Sequence, residues 1–135
     1  MKHHPLIQVK DVMKTQIDFI DGMTTIKEAL DMMKHQGNKS LIVNKRNEND
    51  EYGILMIADI ARKVLAKDRS PERVNTYEIM AKPVISVQPD MDIRYCARLF
   101  DQFHLSRCPV ITGGKVVGIV SLTDMVLNGL RKVYE

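Results

Sequence analysis

The sequence of 135 residues has no tryptophan, only four tyrosines and three phenylalanines, and two cysteines. Its 20 lysines and arginines and 17 aspartates and glutamates are interspersed, which leaves a net charge of only +3. Proteins that bind nucleic acids usually carry a clustered basic stripe and aromatic side chains on which bases stack. The composition therefore predicts that nucleic acid is not a partner.

Two cysteines cannot form a framework of disulfides, and no Cys-x-x-Cys pair or Cys/His cluster with zinc spacing is present. No apolar run is long enough for a signal peptide or a membrane span. We therefore expect a reduced, cytoplasmic protein that makes no membrane contact. A chain of this length can bury one sizeable core without metals or disulfides.

Motifs of catalysis are also missing from the sequence. No nucleophile elbow and no glycine-rich phosphate loop is present, and Gly113-Gly114 is typical of a hairpin turn. His104 lies four residues before Cys108, as a partner of a nucleophilic thiol could. Cys108 begins an apolar run, however, and a cysteine in such a place is usually a buried structural thiol. The sequence predicts a protein that is not an enzyme and that has no covalent cofactor.

The chain contains an internal repeat. Residues 11–13 (Asp-Val-Met) align with residues 78–80 (Glu-Ile-Met), 67 positions later, and apolar positions coincide from there onward. The offset then falls to 65, where Asp59 aligns with Asp124. The offset changes because the turn between the aligned segments is longer in the first copy, "NKRNENDEY", than in the second, "TGGK". Such variation in length is expected for a surface turn. The duplication predicts one pseudo-symmetric module over residues 1–135.

Each copy is predicted to fold as β-α-β-β-α. In the second copy the patterns indicate a strand over 83–87, a helix from Ile93 capped by Asp90 or Asp92, a hairpin over 108–120 and a helix over 122–133. The repeats span residues 9–65 and 76–133, and residues 66–75 form a polar connector. Because each copy has only a small sheet, we expect two α/β (α+β) units that pack through their sheets.

Six stretches resemble a tandem pair of cystathionine-β-synthase (CBS) domains, also called a Bateman module. They are "VKDVMKTQIDFIDGMTTIKEAL", "GNKSLIVN" and "EYGILMIADIA" in the first copy, and "YEIMAKPVISVQPDMDI", "FHLSRCPVI" and "GGKVVGIVSLTDMV" in the second. The resemblance implies a regulatory module that binds AMP, ADP, ATP or S-adenosylmethionine in clefts between the repeats. It also implies assembly as a homodimer.

Ser121 and Asp124 stand just before an apolar helical pattern and permit two interpretations. Serine followed three residues later by an acidic residue resembles a helix capping box. A carboxylate can also accept hydrogen bonds from both ribose hydroxyls, and a helix start favours a nearby phosphate. The resemblance places Asp124 and its counterpart Asp59 at the ribose, so we favour ribose binding at Asp124, with Thr123 beside it. Met56 replaces the serine in the first copy, so we expect the Asp124 site to be the occupied one if only one is.

The remaining candidates would contact phosphate and adenine. Arg107 is the best phosphate candidate because guanidinium matches phosphate geometry. The corresponding place in the first copy is Ser40, with Lys39 beside it. His104 is a second candidate, with helix capping as its alternative role. An adenine needs an apolar slot. Apolar residues in short strands can form such a slot, but core packing is their alternative role. The resemblance implies five residues for this slot: Ile85, Ile119 and Val120 in the second copy, and Ile17 and Ile54 in the first.

Three functions from different classes remain open from the sequence. The first is a nucleotide sensor that signals to a partner of unknown identity. The second is a ligand-free structural or oligomerisation module, in which Asp59 and Asp124 only cap helices. The third is a metal-responsive or redox-responsive protein that uses four residues: His3, His4, Cys96 and Cys108.

Overall fold

The computed structural model describes residues 6–36 and 39–135. The chain divides into two compact units, which we call unit 1 and unit 2. Unit 1 comprises the chain up to Ile17 together with Ile85–Glu135, and unit 2 comprises Asp18–Val84. Each unit combines a small sheet with helices, which confirms the predicted mixed α/β class.

Unit 2 holds a three-stranded sheet in the order β1-β2-β3. Its elements are β1 (Phe19–Ile20), α2 (Ile26–Gln36), β2 (Ser40–Val43), β3 (Gly53–Met56), α3 (Ile57–Ile60), a π-helical turn (Ala61–Leu65) and a 3-10 turn (Thr76–Glu78). Strand β1 runs parallel to β2, and β2 runs antiparallel to β3. The unit is thus built around the hairpin of the first repeat.

Unit 1 is built around the hairpin of the second repeat. Its elements are α1 (Val9–Val12), α4 (Ile93–Phe103), β4 (Arg107–Thr112), β5 (Lys115–Ser121), α5 (Leu122–Met125), a π-helical turn (Val126–Leu130) and α6 (Arg131–Val133). Strands β4 and β5 are antiparallel. Gly113 and Gly114 connect them with φ angles of +58° and +75°, which glycine adopts without steric strain. The predicted hairpin is confirmed.

Helix α4 begins where the sequence indicated. The side chain of Asp92 caps it, since its Oδ1 accepts a hydrogen bond of 2.8 Å from the backbone N–H of Arg94. The fully buried Cys96 and Phe100 lie one turn apart on this helix and belong to the hydrophobic core of unit 1. Unit 2 has a core of its own, in which Ile26, Leu41 and Leu55 are fully buried.

Each sheet is extended by the segment that precedes the other repeat's first strand. In unit 1, Lys14 and Ile119 exchange two backbone hydrogen bonds of 2.9 Å. In unit 2, Ala81 and Ile54 form the equivalent pair, with bonds of 2.9 and 3.0 Å. The compact units and the sequence repeats are therefore different divisions of the chain.

The predicted strand over 83–87 is reduced to a single bridge. Val87 pairs in parallel with Val110, donates to the Pro109 carbonyl at 3.2 Å and accepts from the Ile111 N–H at 2.9 Å. Pro83 has no backbone N–H to donate, and a proline inside a short apolar run weakens its pairing as a strand. The apolar pattern identified the segment but overestimated its pairing.

Within the described residues, no helix is long and apolar enough to cross a membrane.

Candidate functional site

Ser121 and Asp124 form a complete capping box at the start of α5. The Ser121 Oγ accepts a hydrogen bond of 3.1 Å from the Asp124 N–H and donates one of 2.9 Å to Asp124 Oδ2. The Ser121 N–H donates to the same Oδ2 at 3.2 Å. Both side chains are buried, at 6% and 3% exposure. The capping interpretation is therefore realised, and it uses only one oxygen of the carboxyl group.

The second oxygen of Asp124 is held more weakly. The Asn128 side chain donates to Oδ1 at 3.4 Å, a long hydrogen bond. The sequence interpretation did not include Asn128, although its position four residues after Asp124 places the two side chains on the same helix face. Oδ1 is the oxygen of Asp124 that can accept a further donor.

Arg107 lies beside this carboxyl group. The strand register pairs Arg107 with Ser121, so β4 brings the guanidinium to the start of α5. Burial lowers the pKa of the half-buried Arg107, and the negative charge of Asp124 opposes that shift. The structure therefore brings together three of the predicted residues, Arg107, Ser121 and Asp124.

The first repeat reproduces this backbone with a different side chain at the cap. Met56 is the N-cap of α3, with φ −113° and ψ 152°, close to φ −123° and ψ 164° at Ser121. Met56 has no hydroxyl, and its side chain makes no cap hydrogen bond. Asp59, the counterpart of Asp124, is 9% exposed. Among the described residues, its Oδ2 is a buried oxygen with no hydrogen-bond partner.

The strand pairing at the start of the helix that carries the aspartate is also equivalent in the two repeats. Ser40 pairs with Met56 in the sheet, as Arg107 pairs with Ser121. The Lys39 carbonyl accepts from the N–H of Ile57 at 3.2 Å, which fixes the backbone of Lys39 at the start of α3. The Lys39 side chain is exposed. Ser40 therefore occupies the sheet position that Arg107 has in the second repeat, and Lys39 is the residue before it.

Both helices widen into a π-helical turn that begins two residues after the aspartate. The turns span Ala61–Leu65 after Asp59 and Val126–Leu130 after Asp124, at equivalent positions of the two repeats. Such turns are rare and occur frequently at functional sites. The sequence pattern of apolar residues indicated a helix here but gave no sign of the wider turn.

The predicted adenine residues differ in accessibility. Val120 is completely buried in the core of unit 1, and Ile54 is 5% exposed. Ile119 and Ile17 are half-buried, and Ile85 is 38% exposed. Ile17, Ile85 and Ile119 are therefore better placed to contact a ligand than Ile54 and Val120. A role of any of these five residues in binding adenine stays a prediction.

His104 and Thr123 lie on the surface. His104 is the C-cap of α4 in the left-handed conformation, with φ 55°, and its backbone N–H donates to the Phe100 carbonyl. The histidine thus ends the helix, the alternative role foreseen for it. Its side chain lines a cavity of about 210 Å³ together with Leu122. Thr123 is exposed in the first turn of α5.

The thiols have the properties of core residues. Cys96 and Cys108 are free and buried, and burial raises the pKa of Cys96 to about 11 and that of Cys108 to about 12. Over the described ranges, no group of three or more His, Cys, Asp or Glu side chains is placed to hold a metal ion. His3 and His4 lie outside the described residues.

A model of the CBS domain family matches residues 9–66 and again residues 77–129. The chain belongs to the CBS domain family. An uncharacterized protein, MK0525 of Methanopyrus kandleri, is 31% identical to this CBS protein over 104 residues, which cover 76% of this chain and 52% of MK0525. The chain thus spans about half the length of that relative.

Two solved structures extend the comparison. The hexameric CBS-CP12 protein from bloom-forming cyanobacteria is 38% identical, with a TM-score of 0.89 and a match covering 92% of this chain and 72% of that one. The CBS domain pair of protein MJ0100 was solved in complex with 5'-methylthioadenosine and S-adenosyl-L-methionine. It is 25% identical, with a TM-score of 0.81 and coverage of 95% and 99%.

Proposed function

We propose that this CBS protein is a regulatory module that binds an adenosine-containing ligand and signals its presence to a partner protein. The ligand would be AMP, ADP, ATP or S-adenosylmethionine, with ribose hydroxyls bound by Asp59 and Asp124. The complex of MJ0100 with two adenosine-containing molecules supports this ligand class. Signalling requires only that the ligand bind one arrangement of the protein better than another.

The buried Oδ2 of Asp59 is the observation that carries the proposal. A buried carboxyl oxygen without a donor lowers stability, because its lost hydration is not replaced. A ribose hydroxyl would supply the missing donor when the Asp59 carboxyl group turns this oxygen toward the ligand, and that rotation breaks no hydrogen bond of Oδ2. At Asp124, a ribose hydroxyl would donate to Oδ1, which receives only the long hydrogen bond from Asn128.

The positive charge of Arg107 beside Asp124 supports an anionic group on the ligand. Arg107 stands opposite Ser121 in the sheet, and its planar guanidinium can bind two phosphate oxygens. In the first repeat we assign this role to Lys39, the residue before Ser40, since a lysine can bind phosphate as a point charge. We therefore expect phosphorylated ligands to depend more strongly on Arg107 than on Lys39.

The alternative is a ligand-free module in which both aspartates are structural. The complete capping box at Ser121 favours this alternative for the second repeat. It does not account for Asp59, because the Met56 side chain makes no cap hydrogen bond and Asp59 Oδ2 has no partner among the described residues. The two functions therefore differ most clearly at Asp59.

The test is thermal unfolding with and without millimolar AMP, ADP, ATP or S-adenosylmethionine, on the wild type and on Asp59→Ala and Asp124→Ala. A ligand at 100 times its dissociation constant stabilises the folded state by about 2.7 kcal/mol. Asp11→Ala is the matched control, since Asp11 completes a capping box in α1 with Gln8. This control should lose stability but keep the ligand-induced shift.

The proposal predicts that at least one ligand raises the unfolding midpoint of the wild type and that an aspartate variant loses this shift. Equal shifts in the wild type and the double variant Asp59→Ala/Asp124→Ala would exclude these residues as the ribose site. The absence of any shift, for protein shown by mass spectrometry to carry no ligand, would favour the structural module.

We also propose that the protein forms a homodimer through the second helices of the repeats. Leu122, Val126 and Leu130 lie four residues apart, on one helix face, and are 43%, 50% and 54% exposed. Exposed apolar stripes of this kind usually mark an interaction surface. Light scattering coupled to size exclusion should show a dimer for the wild type and a monomer for Val126→Glu; a wild-type monomer would contradict the proposal.

A further inference from the structure

Unit 2 contains a cavity away from Asp59, at the opposite ends of the strands. Its volume is about 720 Å³, within the range of small-molecule sites. Its walls come from the residues that follow β1 and β2 and from residues 77–82. Asp59 lies beyond the end of β3, next to the start of β2, so this cavity is separate from the proposed ribose site.

The walls of the cavity are fixed by hydrogen bonds. The Tyr77 N–H donates to the Gly22 carbonyl at 2.9 Å, and the Asn44 side chain donates to Asp21 Oδ1 at 3.0 Å. A Cβ atom at Gly22 would lie 3.3 Å from the Cβ of Tyr77, so glycine permits this close approach. The cavity is therefore largely preformed, as ligand sites usually are.

The lining carries an excess of positive charge. Lys45, Arg46 and Lys82 line the cavity, and Asp21 is its single acidic lining residue. One neighbouring carboxylate, Asp50, pairs with both Lys82, at 2.7 Å, and Arg46, at 3.2 Å. Three cations thus face two carboxylates, and a monoanion would neutralise the cluster.

The same cavity exposes apolar and aromatic surface. Met23 is 72% exposed and Tyr77 is 52% exposed, and the half-buried Met80 completes this part of the lining. An aromatic ring and flexible thioethers pack well against a flat ring. Exposed side chains of these types next to an excess of cations suit a ligand that is both planar and anionic.

We propose that this cavity binds a small planar organic anion, an aromatic ring that carries a carboxylate or a phosphate. The ring packs against Tyr77 and Met23, and the anionic group lies among Lys45, Arg46 and Lys82. The site does not use Asp59 or Asp124 and stands independently of the nucleotide proposal.

The test is a titration of the isotopically labelled full chain with benzoate, phenyl phosphate and inorganic phosphate at millimolar concentration, followed by backbone amide NMR shifts. None of these probes has a ribose, so the proposed nucleotide site is not tested at the same time. We expect saturable shifts at residues 21–23, 43–46 and 77–82 with benzoate, phenyl phosphate or both. Comparison of the two aromatic probes then identifies the carboxylate or the phosphate as the preferred anion.

Variants separate the charge from the ring. Arg46→Ala, at a side chain that is 81% exposed, should weaken binding about tenfold, as loss of a charged hydrogen bond does, whereas Arg62→Ala outside the cavity should not. Tyr77→Ala should weaken the aromatic probes and Tyr77→Phe should retain them. The proposal is wrong if neither aromatic probe shifts these amides, or if inorganic phosphate binds as well as both aromatic probes and Tyr77→Ala has no effect.

Discussion

Replacement of Met56 by serine should create in the first repeat the helix cap that the second repeat already has. The backbone at Met56 has nearly the angles of Ser121, so a serine there needs no rearrangement. Its hydroxyl would accept from the Asp59 N–H and donate to Oδ2, which has no partner among the described residues. The variant therefore tests whether the orphaned oxygen of Asp59 is accessible to a donor.

The expected gain follows from the group that is added. A serine N-cap stabilises a helix by about 1 kcal/mol relative to alanine, within a range of 0.5–2 kcal/mol. Satisfying the buried acceptor places the gain in the upper half of this range, since such a group costs about 1–3 kcal/mol when it is left unpaired. Because Met56 is half-buried, its loss also removes packing, and Met56→Ala is the matched reference. We expect Met56→Ser to be more stable than Met56→Ala by about 1–2 kcal/mol.

Urea unfolding followed by circular dichroism measures the difference. With a slope of about 2 kcal/mol per molar urea, the middle of the usual range, the midpoint of the serine variant should lie about 0.5–1 M above that of the alanine variant. Hydrogen exchange of the Asp59 amide supplies a local measurement, because only the serine variant gives this N–H a side-chain acceptor. Equal midpoints and equal exchange rates would show that the new hydroxyl makes no hydrogen bond with Asp59.

Three further predictions concern the cap, an ion pair and the thiols. Ser121→Ala should lower the free energy of unfolding by about 1–2 kcal/mol, measured by urea unfolding, since it removes two hydrogen bonds of the capping box. The hydrogen bond from Lys82 is the main reason that the pKa of Asp50 is lowered. The ionised Asp50 therefore contributes fully to the stability of the folded state above the ordinary aspartate pKa of about 4, and this contribution is lost as pH falls through the lower native pKa. The difference in urea midpoint between the wild type and Asp50→Asn should therefore be constant from neutral pH down to about pH 5 and should narrow in stronger acid. Cys96 and Cys108, whose pKa values burial raises to about 11 and about 12, should react with a thiol reagent at pH 8 only when the protein unfolds; rapid reaction of the native protein would revive the redox hypothesis.

The elements with short-range signals could be predicted from the sequence. Asp92 caps α4 through the backbone N–H two residues later, and Gly113 and Gly114 supply the positive φ angles of the hairpin turn. In both cases the residues that decide the structure lie within a few positions of it. Because the two copies align, a structure predicted for one copy can also be predicted for the other, where the local sequence pattern is weaker.

Features that depend on distant partners could not be predicted in the same way. The pairing of Lys14 with Ile119 joins residues from opposite ends of the chain, and no local pattern specifies it. Residues 83–87 have the apolar composition of a strand, yet only Val87 pairs, through hydrogen bonds with Pro109 and Ile111. The cavity of unit 2 likewise needs three separate segments to form its walls.

The cap and the ribose site are compatible interpretations of the same backbone position. A capping box uses one oxygen of the aspartate, as Oδ2 of Asp124 shows, and leaves the other with only the long bond from Asn128. Where Met56 replaces the serine, Oδ2 of the aspartate loses the hydroxyl donor that Ser121 gives Asp124, and the first repeat forgoes the stability of a cap. Uncompensated buried polar groups are expected where function requires them. If the proposed function is correct, the two repeats should therefore differ in affinity, because the Asp59 carboxyl group gains its donor only when ligand binds.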